Sequence, residues 1–234
     1  MSNREKMEYD VVIVGAGPSG LATAIKLKQL EKENKKEISV CIVEKGSEVG
    51  AHILSGAVIE TKSLTELIPN WKDTDIPLKT KAKKDSFLFL TKNKSYKLPT
   101  PPQMKNHGNY IISLGKLCSW LGQYAENLGV EIYPGFAASE ILYDTSGKVS
   151  GIATNDMGVL KDGSKGPNYE PGIELIAKQT IFSEGCRGHL GKELMKKFDL
   201  NIKNQNQTYA IGIKELWEID SKNHNPGEIV HTTG

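Results

Sequence analysis

The sequence predicts an α/β fold: a Rossmann-like, mostly parallel sheet with an inserted β-rich layer. Three observations predict it. Tyr9–Val14 is a short apolar run that stops at Gly15, the pattern of a fully buried parallel strand. Leu21–Leu30 is made of good helix formers, with Leu21, Ala24, Ile25 and Leu27 on one stripe. Ile38–Val43 is a second apolar run, and it ends at Glu44. Strand, glycine turn, helix and strand make a βαβ unit.

The remaining elements follow in chain order. Pro18 suits the first turn of the helix that follows the glycines. The charged stretch Glu31–Glu37 ends that helix. Lys45–Glu60 is rich in glycine and small residues. Ser63 with Glu66 has the spacing of a capping box and predicts a short helix, with Leu64, Leu67 and Ile68 on one face, ending at Pro69. Ser86–Leu90 and Ser95–Leu98 predict a hairpin around Lys92 and Asn93. Pro99, Pro101 and Pro102 form a stiff connection. Leu114, Leu117, Cys118, Leu121, Tyr124, Ala125 and Leu128 recur at helical spacing and predict a helix over 114–128. Val130–Tyr133 is a third candidate parallel strand. Ala137–Tyr143 and Val149–Thr154 flank a turn and predict a second hairpin. Asp156–Pro171 is a polar, glycine-rich excursion. Ile173–Phe182 is a further strand, His189–Phe198 a helix, and Tyr209–Ile219 the start of a new strand. The expected domains are 1–198, binding a dinucleotide, and 199–234, the start of a β domain.

Bulk properties narrow the class. The 234 residues are 38% hydrophobic and 25% charged, the balance of a water-soluble globular chain. The net charge of +2 comes with scattered lysines, which excludes the concentrated basic face of a nucleic-acid binder. Cys41, Cys118 and Cys186 show no paired spacing, so a disulfide framework is not expected. No apolar run is long enough to span a membrane, so any membrane contact is expected to be peripheral.

Gly15, Gly17 and Gly20 occupy the spacing of a dinucleotide turn. Gly15 allows the tight turn, Gly17 admits a pyrophosphate against the backbone, and Gly20 lets helix and strand pack closely. Pro18 and Ser19 complete the turn, and the phosphates would meet the positive end of the helix. Glu44, a little over 20 residues beyond Gly20, can accept hydrogen bonds from a ribose and repels a 2′-phosphate. Lys45 stands beside it. Ser183–Gly188 ends a late strand, and its Glu184 and Gly185 are further dinucleotide candidates. Gly50–Ala57 is nearly uncharged and can lie against a flat ring system, with His52, Ser55 and Gly56 as the candidates. His107, His189, His224 and His231 have no metal-ligand spacing.

Val11–Leu21 resembles the FAD fingerprint of flavoproteins with two dinucleotide-binding domains. Glu44–Val58, Asn106–Gly115, Gly129–Ala138, Thr180–Gly188 and Ile211–Trp217 resemble the electron-transfer flavoprotein–ubiquinone oxidoreductase family. The resemblance runs from about Tyr9 to Gly234. It implies one FAD and one 4Fe-4S cluster, electrons arriving from reduced electron-transfer flavoprotein, and delivery to ubiquinone at a membrane. It implies that Gly15, Gly17, Pro18, Ser19, Gly20, Glu44 and Lys45 hold pyrophosphate and ribose, that Glu184 and Gly185 touch the dinucleotide, and that His52, Ser55 and Gly56 surround the isoalloxazine. It places the protein on the cytoplasmic face of a bacterial inner membrane, or on the mitochondrial inner membrane. Residues 50–71 match a segment that would dip into the bilayer, although the face Leu64, Leu67, Ile68 and Trp71 suits an interfacial helix and a buried one equally. Family members are longer, and the cluster cysteines and a later flavin motif are missing here. The chain is therefore expected to be an amino-terminal fragment, inactive alone. A related FAD-dependent reductase, acting on isoprenoids or of the nitrogen-fixation quinone type, and a stand-alone nucleotide-binding module are the alternatives.

Overall fold

Short apolar runs separated by glycine turns become strands in a computed structural model of the protein, which describes residues 4–54, 56–200 and 208–234. In chain order the larger elements begin with β1 (Lys6–Val14), α1 (Pro18–Asn34), β2 (Val40–Glu44), β3 (Ala57–Ile59) and α2 (Lys62–Leu67). Next come β4 (Thr80–Lys81), β5 (Lys84–Leu90), β6 (Ser95–Leu98), β7 (Tyr110–Ile112) and α3 (Leu114–Asn127). Then follow β8 (Glu131–Pro134), β9 (Ala138–Tyr143), β10 (Val149–Thr154), β11 (Met157–Val159) and β12 (Lys165–Glu170). The last are β13 (Glu174–Phe182), α4 (His189–Lys197) and β14 (Glu228–Thr233). The chain divides into two compact units, Met1–Ile53 with Cys118–Tyr209, and Leu54–Leu117 with Ala210–Gly234.

The first unit is built on one six-stranded sheet in the order β8-β2-β1-β13-β10-β9. β8, β2, β1 and β13 run parallel, and β10 and β9 add as an antiparallel pair. Successive side chains point to opposite faces of a strand. Ile13 faces α1, whose Leu21, Ala24 and Ile25 are fully buried. Val12, Val14, Cys41, Val43, Ile152 and Leu175 form a core cluster with Leu190 of α4. Each such side chain contributes about 1.5–3 kcal/mol when buried. Burial pushes the Cys41 thiol up to about 12 and the Cys118 thiol up to about 11. Both are therefore neutral core groups at pH 7.

The second unit has two three-stranded sheets, β3-β7-β4 and β14-β5-β6. The sequence reading put 54–117 in one domain running to 198. The structure packs that stretch with 210–234 instead, because β14 lies parallel to β5 from Glu228↔Lys84 to Thr233↔Phe89. Three local readings also change. Ser63 is not a cap: α2 starts at Lys62, its N-cap is Thr61, two residues before Ser63, and no side chain caps it. The polar excursion 156–171 contains the hairpin β11–β12. Tyr209–Ile219 is not a strand, and the next strand is β14. Leu64, Ile68 and Trp71 are buried, and the Trp71 indole donates to Thr65 Oγ1 at 2.9 Å. Three of the four residues of the face that could have met a bilayer are thus in the core of this unit, and the fourth, Leu67, is half-buried.

Asp85 ties three segments of the second unit together. The Asn106 backbone N–H donates to its Oδ2 at 2.8 Å and Asn106 Nδ2 donates to Oδ1 at 2.7 Å. His231 Nε2 lies 3.5 Å from Oδ1 and 3.1 Å from the Met104 carbonyl. Burial alone would raise the Asp85 carboxyl, but the Asn106 donors and His231 outweigh it and hold it below the ordinary 3.8. A depressed carboxylate stabilises the fold fully above its unfolded value and loses that contribution as pH falls through its folded value. Stability should therefore decline with acid below about pH 4. Melting temperatures of wild type and Asp85→Asn across pH 2–5 check this; an identical acid slope in both would assign the sensitivity to other groups.

Candidate functional site

The first β-strand lies at the centre of the large sheet, and the chain leaves it in one direction through α1 to β2 while β13 lies on the other side. Ligands of open α/β sheets sit outside the carboxyl ends of strands at such a switch point. There the first unit has a cavity of about 820 Å³, lined among others by Gly15, Gly17, Pro18, Ser19, Glu44 and Lys45. That volume is within the range of roughly 300–1,000 Å³ typical of cofactor sites.

Two glycines of the turn are required by the fold, each for a different reason. Gly15 has φ +103°, and a Cβ there would stand 2.6 Å from the Ser183 carbonyl oxygen. Its N–H donates to the Val43 carbonyl at 2.8 Å, which binds the turn to β2. A Cβ on Gly20 would stand 2.1 Å from the Gly15 carbonyl oxygen and 3.2 Å from Ile13 Cγ2. Gly17 is the opposite case. It has ordinary extended geometry as the N-cap of α1, and a Cβ there would meet nothing within 4 Å. The open side of Gly17 belongs to the cavity. No side chain caps α1, its first turn has no acidic residue, and Pro18 has no N–H. The helix end therefore presents the Ser19 and Gly20 N–H groups, ahead of the first intrahelical bond from Leu21 to Gly17. An anion is stabilised at that position.

Glu44 closes β2, and it has a structural role that the sequence does not reveal. Its Oε2 accepts from the Ala16 N–H at 2.9 Å and its Oε1 from the Gly46 N–H at 2.7 Å. The carboxylate therefore fixes the glycine turn against the end of β2. A carboxylate has about four acceptor positions, so each oxygen keeps one free. Glu44→Ala should cost about 1.5–3 kcal/mol of stability through the lost charged hydrogen bonds, besides weakening dinucleotide binding. Urea unfolding of the variant measures the first effect. An unchanged midpoint would mean that the turn is held by other contacts.

The remaining candidates separate. Lys45 and His52 are exposed side chains on the cavity lining. Gly185, at φ +81°, and Glu184 line it too. The Glu184 carboxylate accepts from the N–H groups of Leu190 at 3.1 Å and Gly191 at 2.7 Å, so it also caps α4. Ser55 lies outside the described residues. Gly56 belongs to the second unit, where its carbonyl accepts from the Lys214 ammonium group. The sequence reading missed Ala137, Ala138, Ser139, Asn155 and Arg187 on the lining. Arg187 stands within the Ser183–Gly188 turn, and its guanidinium lies 4.8 Å over the Tyr209 ring. The signal for Ala137 and Ala138 was their small size after β8. Asn155 gave none, because only the β9–β10 pairing brings it to the site.

Comparison with known proteins agrees with this geometry. Residues 13–71 match the model of the NAD(P)-binding Rossmann-like domain family. A solved geranylgeranyl bacteriochlorophyll reductase-like protein of Thermoplasma acidophilum superposes with a TM-score of 0.51 at 16% identity, covering 76% of this chain and 39% of that one, a likeness of fold. The mitochondrial electron transfer flavoprotein-ubiquinone oxidoreductase of Dictyostelium discoideum is 58% identical over 99% of this chain and 38% of its own length. The electron transfer flavoprotein-ubiquinone oxidoreductase of Pseudomonas aeruginosa is 58% identical over 99% of this chain and 43% of its own length. This chain thus spans about two-fifths of the length of these relatives. By sequence it belongs to the electron transfer flavoprotein-ubiquinone oxidoreductase family and corresponds to an amino-terminal portion of it.

Proposed function

We propose that the chain is the FAD-binding part of a flavoprotein oxidoreductase that moves electrons from reduced electron-transfer flavoprotein to ubiquinone. The observation that carries this reading is the open side of Gly17 at an uncapped helix end, on the lining of a cofactor-sized cavity. The residues fit the adenylate half of FAD. Ser19 and Gly20 N–H groups would take the pyrophosphate, and Glu44 the ribose. Glu44 also disfavours the 2′-phosphate of NADP by like-charge repulsion. His52 and the Gly185 turn stand on the same lining, as candidates for the remainder of the cofactor.

The bound flavin would supply the redox chemistry, and the protein supplies position and electrostatics. A 4Fe-4S cluster does not fit the residues present. Such clusters are held by closely placed Cys thiolates, typically four, and this chain has three cysteines, two of them buried and neutral. Reduction of ubiquinone would put the enzyme at a bacterial or mitochondrial inner membrane. Among the described residues no helix is long and apolar enough to cross it.

Calorimetric titration of the purified chain tests the site. FAD and ADP should compete for one site, and NADP should not displace them. Because the chain covers about two-fifths of its relatives, retention of the whole cofactor should be weak. No detectable heat with either FAD or ADP would remove the assignment.

A further inference from the structure

Residues 209–219 hold the four most exposed large apolar side chains described: Ile211 at 98%, Ile213 at 87%, Leu216 at 102% and Trp217 at 75%. The pattern is that of a strand. Tyr209, Ile211, Ile213, Trp217 and Ile219 alternate with Ala210, Gly212, Lys214 and Glu218, and only Glu215 and Leu216 depart from it. Period-two alternation encodes a strand with one buried face. Yet no backbone group of 210–219 makes a hydrogen bond among the described residues. Local pattern and observed conformation therefore disagree, and such a conflict signals an unmet partner.

The same unit contains an edge of the right kind. β14 borders its sheet, with β5 on one side and, among the described residues, no strand on the other. Its start is pinned, because the Gly227 carbonyl accepts from the Lys83 and Lys84 N–H groups. The connection from Ile219 to Glu228 is residues 220–227. It already turns, through a short 3-10 helix at Ser221–Asn223, capped by the Asp220 side chain, and through Gly227 at φ +89°. A tethered strand this close reaches the edge at high effective concentration.

We propose that residues 213–219 dock antiparallel on the free edge of β14, as a fourth strand of that sheet. The register follows from the side chains. Ile219 opposite Glu228 puts Trp217 opposite Val230, which is itself 50% exposed. A slip of one residue would reverse every side chain and bring Trp217 to His231, which is engaged with Asp85 and the Met104 carbonyl. Docking covers an edge that would otherwise template association with other chains. The inference does not depend on the cofactor reading.

Disulfide trapping and hydrogen exchange test it in the whole chain. With Cys186→Ser as background, Glu215→Cys with Thr232→Cys should crosslink within one chain, and Glu215→Cys with Thr233→Cys should crosslink poorly. Amides of Trp217 and Ile219 should exchange at least about tenfold more slowly than in Glu215→Pro, which removes the ladder donor opposite Thr232. Equal, free-peptide exchange in both proteins overturns the proposal. Crosslinks that form only between chains overturn it in favour of a second copy as the occupant.

Discussion

Gly17→Val should leave the protein folded and remove its FAD and ADP binding. The two halves of this expectation have separate grounds. The fold tolerates the change because Gly17 has φ −78° and ψ 178°, which any residue adopts, and a Cβ there meets no protein atom within 4 Å. The cost of losing glycine at the N-cap is a few tenths to about 1 kcal/mol. The ligand does not tolerate it, because the same space is where phosphate oxygens would meet the Ser19 and Gly20 N–H groups. Valine puts branched carbon there and leaves the anion without its donors. A loss of roughly 3 kcal/mol, about a hundredfold in affinity, is the expected scale. Circular dichroism checks the fold and calorimetry the affinity. A folded Gly17→Val protein that binds FAD as before would place the dinucleotide elsewhere.

The βαβ unit was legible in the sequence because its determinants are local. Apolar runs mark β1 and β2, and Gly15, Pro18 and Gly20 mark the turn and the start of α1. The chemistry at the strand ends was only half legible. Glu44 could be read as a ribose acceptor, but its bonds to the Ala16 and Gly46 N–H groups depend on how the turn returns to β2. Glu184 could be read as a turn residue near the ligand, and the structure shows its carboxylate capping α4. The division into units was not legible, because it rests on non-local pairing. Lys84 meets Glu228 across 144 positions, and no window of sequence contains both. The same limit affected α2. Its apolar spacing fits membrane or core, and only the burial of Leu64, Ile68 and Trp71 decides between them.

Gly20→Ala should give the reverse of the Gly17 result: a damaged fold rather than a blocked ligand. Gly20 lies in α1, where alanine would ordinarily stabilise the helix by about 0.8–1.0 kcal/mol. Here the added Cβ would stand 2.1 Å from the Gly15 carbonyl oxygen. That oxygen belongs to a backbone turn and cannot swing aside, because the Gly15 N–H is bound to Val43 and the Ala16 N–H to Glu44. Relief requires α1 to move off β1, which opens contacts of Ile13, Leu21 and Ile25, all fully buried. Overpacking a well-filled interior costs about 1–3 kcal/mol, and a clash with fixed backbone falls at the upper end. For a chain of this size the melting temperature should fall by roughly 6–12 °C. FAD affinity would fall as well, but only as far as α1 is displaced, so stability is the more direct readout. Thermal unfolding of Gly20→Ala beside Gly17→Ala separates the two positions. If both melt like the wild type, the close approach of α1 to β1 is not what makes glycine necessary at position 20.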